Sequence, residues 1–252
     1  MSTLILTGAG ISLASGIPTF RGSDPGAVWA NDVMAKGTLA YFQRDPAASW
    51  QWYLSRFEKY ADARPNAAHV ALAEWERKKR TGEFLLVTQN VDTLHEQAGS
   101  RELVKVHGSR DQVRCTRRGC AQGAPNHTIL FRREDFDAFR AAPKFENLPR
   151  CSICRSLLRP HVLWFDEYYA DHVTYQWELV QGWAGERASE VWFIGTSMAV
   201  TVADVLYKNA RDRGIPIHVV NPADAPLAGV THHRESAETW LPGYVRTLPG
   251  PA

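Results

Sequence analysis

Short runs of apolar and β-branched residues recur along the chain at Thr3–Thr7, Phe84–Thr88, 103–107, Glu190–Ile194 and 216–220. Each is about the length of a buried strand. Helical patterns fill most of the intervals. Asp45-Pro46 reads as an N-cap followed by proline in the first turn, which predicts a helix over 46–60. Asn66 predicts a second cap, with a helix over 67–80 that puts Ala68, Ala71, Leu72 and Trp75 on one face. Residues 195–213 repeat the strand–turn–helix order. Strands alternating with helices imply an α/β fold, a mostly parallel sheet covered on both sides.

Two segments interrupt that alternation. Residues 24–61 are helical and aromatic without a strand signal, and residues 109–159 hold all the cysteines and several arginines. Both read as excursions from one main domain made of 1–23, 62–108 and 160–252. No internal repeat or low-complexity tract is found.

Composition narrows the partners. Among 252 residues, 29 Lys+Arg against 27 Asp+Glu leave a net charge of +2, which gives no reason to expect nucleic acid or an anionic membrane as the main partner. No apolar run approaches the ~20 residues that cross a bilayer. The opening Met1-Ser2-Thr3-Leu4-Ile5-Leu6 has neither a basic segment nor a long apolar one, so no secretory signal is expected and the cytosol is. The oligomeric state stays open, a monomer included.

The four cysteines come as Cys115-x4-Cys120 and Cys151-x2-Cys154. Paired cysteines in a cytosolic chain more often bind metal than form disulfides. Four thiolates make the closed tetrahedral set of a structural zinc, which leaves no open position for chemistry. Arg114, Arg117 and Arg118 flank the first pair and raise the alternative of a zinc-ribbon reader of nucleic acid, against which the near-neutral total charge counts.

Gly8-Ala9-Gly10 follows the first strand directly, and Gly16 comes six residues later. Glycines there would let backbone approach a pyrophosphate lying on a helix N-terminus. Leu13 stands where the dinucleotide pattern has its third glycine, so the loop alone is a weak signal. Other strand ends add to it: Thr88-Gln89-Asn90-Val91-Asp92, His107-Gly108, Gly195-Thr196-Ser197 and Asn221-Pro222. Ligands of open parallel sheets bind beyond such ends, although Asn, Asp, Ser and Gly also make ordinary turns.

Together, Gly8-Ala9-Gly10-Ile11-Ser12, Gly16-Ile17-Pro18-Thr19-Phe20-Arg21-Gly22, Thr88-Gln89-Asn90-Val91-Asp92, His107-Gly108 and Gly195-Thr196-Ser197 resemble the sirtuin family of NAD-dependent protein-lysine deacylases. The resemblance runs from about residue 4 to residue 242, with the motifs in family order. Arg159-Pro160-His161-Val162-Leu163-Trp164-Phe165-Asp166-Glu167 also matches, except that Asp166 stands where the family usually has glycine.

The resemblance implies a Rossmann-like large domain, a small domain built from the helical insertion and a zinc module, and NAD between them. It implies phosphates on Gly8, Ala9 and Gly10, and Phe20 with Arg21 over the nicotinamide end. Gln89, Asn90 and Asp92 would line the ribose and nicotinamide pocket. Gly195, Thr196 and Ser197 would hold phosphate and ribose, and Asn221 with Ala237 would border the adenosine. Leu163 and Phe165 would flank the acyl-lysine. The implied mechanism has the acyl-lysine amide oxygen displace nicotinamide from the ribose. His107, assisted by Asn90 in the same pocket, then acts as the base for a ribose hydroxyl. The products would be free lysine, nicotinamide and O-acyl-ADP-ribose.

Among nine histidines, His107 stands out because it ends an expected strand at the crevice, and an imidazole titrates near working pH. His95 also matches a family position, with a structural role expected. Tyr53 and Arg56 lie three apart on the helix expected from Pro46, hence on one face. Arginine can fork onto a carboxylate, and a tyrosine hydroxyl can add a third bond. In sirtuins this pair marks the branch that removes succinyl and malonyl groups; otherwise Arg56 would pair with a nearby carboxylate or water on an exposed helix. Deacetylation can coexist with acidic-acyl removal. An ADP-ribosyltransferase, an NAD hydrolase or a non-enzymatic NAD sensor would use the same NAD site without an acyl-lysine tunnel.

Overall fold

A computed structural model of the chain describes residues 1–19, 30–224 and 227–250. Strand β1 (Thr3–Thr7) lies at the middle of a parallel sheet in the order β3-β2-β1-β7-β8-β9. Its neighbours are β2 (Phe84–Thr88) and β7 (Glu190–Ile194), in register Thr7↔Thr88 and Thr7↔Ile194. β3 (Leu103–Lys105) lies outside β2, and β8 (Ile217–Val220) with β9 (Thr231–His233) extends the other edge. Every residue of β1, β2 and β7 is buried, as continuous apolar strands between two helical layers should be.

Helix α1 (Ala30–Lys36), α2 (Leu39–Arg44) and α3 (Pro46–Lys59) form the helical excursion; α4 (Ala67–Arg77) and α5 (Leu94–Ala98) flank β2. After α6 (Asp137–Ala141) and α7 (Trp177–Gly182), α8 (Thr201–Asp212) and α9 (Ala237–Thr247) return to the main sheet. One apolar cluster under the sheet joins Leu4, Leu6, Val87 and Phe193 to Val202 and Leu206 of α8. A second on the opposite face joins Ile5, Leu86 and Ile194 to Leu72 of α4 and Leu241 of α9.

A smaller antiparallel sheet, β5-β4-β6, carries the cysteines: β4 (Gly108–Cys115), β5 (Ile129–Leu130) and β6 (Leu158–Val162). A third apolar cluster joins Phe42, Trp50 and Leu54 of the helical excursion to Val113, Phe136, Cys151 and Leu158. The two excursions therefore share one core of their own.

Several expected boundaries move. The strand expected over 103–107 stops at Lys105. The Val106 amide still bonds the Thr88 carbonyl at 3.1 Å, but His107 turns out of the sheet, and Gly108, at φ +79°, starts β4. β8 begins one residue late because Pro216 has no N–H to add to the ladder, although its carbonyl accepts from Val191 at 3.0 Å. The helix expected over 67–80 ends at Arg77, and the one within 195–213 starts only at Thr201, after a loop. β4, β5, β6 and β9 carried no strand signal.

Candidate active site

The strand order reverses at β1, so the crevice beyond the carboxyl ends of β1 and β7 is the topological switch point where open parallel sheets take ligands. Residues 9–15, after β1, form a short 3-10 helix and not the α-helix N-terminus expected. The reason lies in the packing of two loops. Gly10 donates its N–H to the Gly195 carbonyl at 2.8 Å, and a Cβ on Gly10 would fall 2.7 Å from that oxygen. Gly195 sits at φ +58° against Ile11 and Gly10. These glycines bring two loops into backbone contact, which is a packing need in addition to any approach to phosphate.

A continuous set of polar side chains crosses these ends. The Asn90 amide donates to the Gly8 carbonyl at 3.2 Å and to Ser12 Oγ at 3.1 Å. Ser12 donates on to Asp92 Oδ2 at 3.0 Å, while Asp92 Oδ1 accepts from Leu94 N at the start of α5. Gln89 Nε2 donates to Thr196 Oγ1 at 3.0 Å, and Asn221 Nδ2 to the Thr196 carbonyl at 3.0 Å. Gln89, Asn90, Asp92, Thr196 and Asn221 are thus held by one another and by the glycine loop. Ser197 is exposed beside them. Ala237 is buried in the apolar cluster at the start of α9, with no polar atom of its side chain to offer.

His107 stands at the same crevice. Its Nδ1 lies 2.9 Å from the Gln89 carbonyl; a carbonyl only accepts, so Nδ1 carries the proton and Nε2 the lone pair. Burial pushes the imidazole pKa down to about 4, against a smaller upward pull from the Gln89 carbonyl. The ring is therefore neutral at working pH, with Nε2 ready to accept a proton. Nε2 meets the Tyr169 hydroxyl at 3.2 Å.

From His107 the contacts lead to the residues expected to meet an acyl-lysine. The His107 carbonyl accepts from Leu163 N at 2.9 Å, and Phe165 N donates to the Gly37 carbonyl at 3.0 Å. Trp164 between them is fixed three ways: its N–H donates to Glu167 at 3.0 Å, its indole N–H to Tyr53 at 2.5 Å, and the Arg159 guanidinium lies 3.3 Å from its ring centre. Glu167 binds Arg159 through both oxygens, at 2.5 and 2.8 Å, and Arg114 at 3.0 Å. These cations hold its carboxyl below the usual range against the opposing effect of burial. Tyr53 is buried, and its hydroxyl pKa is pushed up by burial, so it is a neutral hydroxyl. Arg56 is half-buried with its guanidinium 4.0 Å from the centre of the Trp52 ring.

The cysteine sulfurs all lie within 4.8 Å of one another, with Cys115–Cys154 at 3.4 Å and Cys120–Cys151 at 3.6 Å. Tetrahedral zinc with ~2.3 Å bonds needs sulfurs roughly 3.8 Å apart, so this set fits the ion.

Residues 8–202 match the sequence profile of the Sir2 family. The chain belongs to the Sir2 family. Its relatives include NAD-dependent protein deacylase 1 of Archaeoglobus fulgidus, 39% identical over 231 residues, 90% of this chain and 84% of that protein. The NAD-dependent protein deacylase of Mycolicibacterium paratuberculosis is 36% identical over 252 residues, 99% and 98% of the two chains. Among solved structures, a Sir2 homologue–NAD complex superposes with a TM-score of 0.78 at 37% identity, covering 97% of this chain and 88% of that one. A Sir2–p53 peptide–NAD+ complex gives 0.74 at 28% identity, covering 97% and 90%.

In this Sir2-family chain, Phe20 and Arg21 lie outside the described residues. Sequence reasoning did not assign Ser12, although it sits in the glycine motif, and it gave no role to Trp164, Glu167 and Tyr169, whose contacts with Tyr53, Arg114 and His107 join distant positions. No helix of the described residues is long and apolar enough to cross a membrane.

Proposed function

We infer that this chain is an NAD-dependent protein-lysine deacylase that uses the crevice at the ends of β1, β2 and β7, with His107 as its base. The observation that carries the reading is the neutral imidazole, locked by the Gln89 carbonyl into the tautomer that leaves Nε2 as acceptor. NAD supplies a ribose carbon bearing nicotinamide as leaving group, together with the ribose hydroxyls. Gly8, Ala9 and Gly10 would face its phosphates, with Gly195, Thr196 and Ser197 beside them. Gln89, Asn90 and Asp92 would orient the ribose and nicotinamide, Phe20 and Arg21 would cover that end, and Asn221 with Ala237 would border the adenosine. His107 Nε2 takes the proton of a ribose hydroxyl, and Asn90 holds the pocket wall in place.

Acylated-lysine proteins are the proposed substrates, in the cytoplasm and without a nucleic-acid partner, a reading supported by the net charge of +2. Leu163 and Phe165 would flank the acyl-lysine as its backbone lies along their segment. Acidic acyl groups, succinyl and malonyl, are proposed beside acetyl. Having accepted from Trp164, the Tyr53 hydroxyl keeps its own hydrogen to donate, and Arg56, one turn on along α3, carries the planar guanidinium that can hold a carboxylate. The proposed NAD lobe is 1–23, 62–108 and 160–252 and the small lobe 24–61 with 109–159, although the small sheet reaches past those bounds to Gly108 in β4 and Val162 in β6. The core shared by Phe42, Trp50 and Cys151 supports that grouping. Cys115, Cys120, Cys151 and Cys154 would hold one zinc for the small lobe's fold.

Mass spectrometry of products from NAD and acetyl-, malonyl- or succinyl-lysine peptides tests this. Free lysine with O-acyl-ADP-ribose is expected; ADP-ribose alone, or ADP-ribosylated protein, would overturn it.

A further inference from the structure

Among the described residues, Tyr169 is the side chain that meets the lone pair of His107. Because Nδ1 holds the proton, the phenol donates and Nε2 accepts, at 3.2 Å. Its ring is fixed between two others: it stacks on Trp177, with centres 4.4 Å apart and planes at 19°, and faces the His107 ring at 5.8 Å and 21°. The acceptor on His107 defines the direction of the hydroxyl's hydrogen. Burial pushes the phenol pKa up to about 12, so it is protonated throughout the working range.

An sp² ring nitrogen has a single in-plane lone pair, so a ribose hydroxyl and the phenol cannot both donate to Nε2. Either Tyr169 leaves, or the proton passes through it. Leaving would break the stack on Trp177 as well as the bond to His107. Staying needs only that the phenol oxygen accept through one of its lone pairs.

We propose that Tyr169 is the proton relay between the reacting ribose hydroxyl and His107. The proposal rests on His107 being the base. As the ribose oxygen forms its bond to the acyl carbon, its O–H bond breaks and the proton goes to the Tyr169 oxygen. The proton that oxygen already carried passes to Nε2. Tyr169 ends neutral, and the imidazole becomes imidazolium with Nδ1–H still on the Gln89 carbonyl. One proton has moved from ribose to histidine, and no other reactant is needed.

Tyr169→Phe keeps both ring contacts and removes only the oxygen. Deacylation at saturating substrates should fall tenfold or more, part of the 10²–10⁴-fold typical of positioned proton transfer. Nicotinamide exchange, which precedes the proton transfer, and the KM for NAD should stay at wild-type values. In ligand-free protein with 15N-labelled histidine, the His107 Nε2 resonance should report a hydrogen-bonded acceptor and should move to the unbonded position in Tyr169→Phe. Unchanged or faster deacylation would make the phenol a mere cap, an equal loss of exchange would assign it to the NAD site, and an unmoved Nε2 resonance would remove the contact; each overturns the relay. His107→Ala separates the two claims: if it kept normal deacylation, the base assignment itself would fall, whereas a dead His107→Ala beside a fully active Tyr169→Phe would sink the relay alone.

Discussion

The carboxylate of Asp166 accepts from the Leu39 N–H at 2.7 Å and, through its other oxygen, from Ala40 at 3.0 Å. These are the first two amides of α2. Thr38 Oγ1 takes the third, that of Tyr41, at 3.0 Å, so three of the four orphan donors of this helix start are satisfied by side chains. Asp166 also belongs to the segment beside Leu163 and Phe165, and Phe165 N is tied to Gly37 just before that helix. The family's usual glycine could make no such bond. In this chain the segment expected to flank the acyl-lysine is therefore latched to the helical excursion.

Asp166→Gly should loosen that latch. Helix-capping bonds are worth about 0.5–2 kcal/mol, so the KM for an acyl-peptide should rise a few-fold with the KM for NAD unchanged. Asp166→Asn, which keeps one acceptor oxygen, should recover part of the loss. Steady-state kinetics on one peptide decides it: equal changes in both KM values would mean that Asp166 serves the fold generally.

Acid should act on the buried histidines. Burial lowers His69 to about 4 and His107 to about 4, and burial with the nearby Arg114 charge lowers His161 to about 2. Unfolded, these rings take protons near their ordinary value of 6.5. As pH falls below that value the unfolded state binds protons that the folded state does not, so stability is lost as pH drops from about 6.5 toward 4. A fully titrating site adds about 1.4 kcal/mol per pH unit. The melting temperature should decline across this window in the wild type and less steeply in a His161→Gln variant. A flat profile would mean that these rings are not held neutral.

The same shift bears on activity. A base must have its lone pair free, and His107 takes a second proton, on Nε2, only as pH falls to about 4 in the free site. The acid limb of kcat/KM should therefore lie well below the ordinary imidazole value, and a limb near 6.5 would contradict the burial of this ring.

Metal should be stoichiometric. One zinc per chain is expected by elemental analysis, and Cys151→Ser should lose it. Because Cys115 and Cys151 are part of the apolar cluster that holds Phe136 and Trp50, the loss should unfold the small lobe and shift the near-ultraviolet circular dichroism of its tryptophans. Metal-free protein with an unaltered spectrum would remove the structural role.

What could be read in the sequence follows from how local each signal is. β1, β2 and β7 are continuous apolar runs between two helical layers, and both caps, Asp45 and Asn66, act within three residues. The cysteine pairs are local too. β6 was hidden because it reads Leu-Arg-Pro-His-Val: Arg159 is buried there only because Glu167 binds it through both oxygens, and a charge in a run reads as a loop until its partner is known. β9 is three polar residues whose strand character comes wholly from pairing with β8. Tyr169 meets His107 from 62 positions away, and no spacing rule connects them. The glycine loop was read for phosphate, whereas Gly10 and Gly195 are also required by each other.

The acyl preference gives the sharpest separation. Arg56, its guanidinium 4.0 Å from the centre of the Trp52 ring, and Tyr53, anchored by the Trp164 indole, lie one turn apart on α3. A succinyl or malonyl carboxylate reaching both would gain charge-assisted bonds of about 1.5–3 kcal/mol each. Losing them should raise KM for a succinyl-lysine peptide by roughly tenfold or more, at about 1.4 kcal/mol per decade. Acetyl-lysine ends in a methyl group and gains nothing from the charge. Arg56→Met should therefore impair desuccinylation strongly and leave deacetylation equal. Steady-state kinetics on peptides that differ only in the acyl group gives the answer. If both substrates lost activity equally, Arg56 would be serving α3 through Trp52, and the acidic-acyl assignment would be withdrawn.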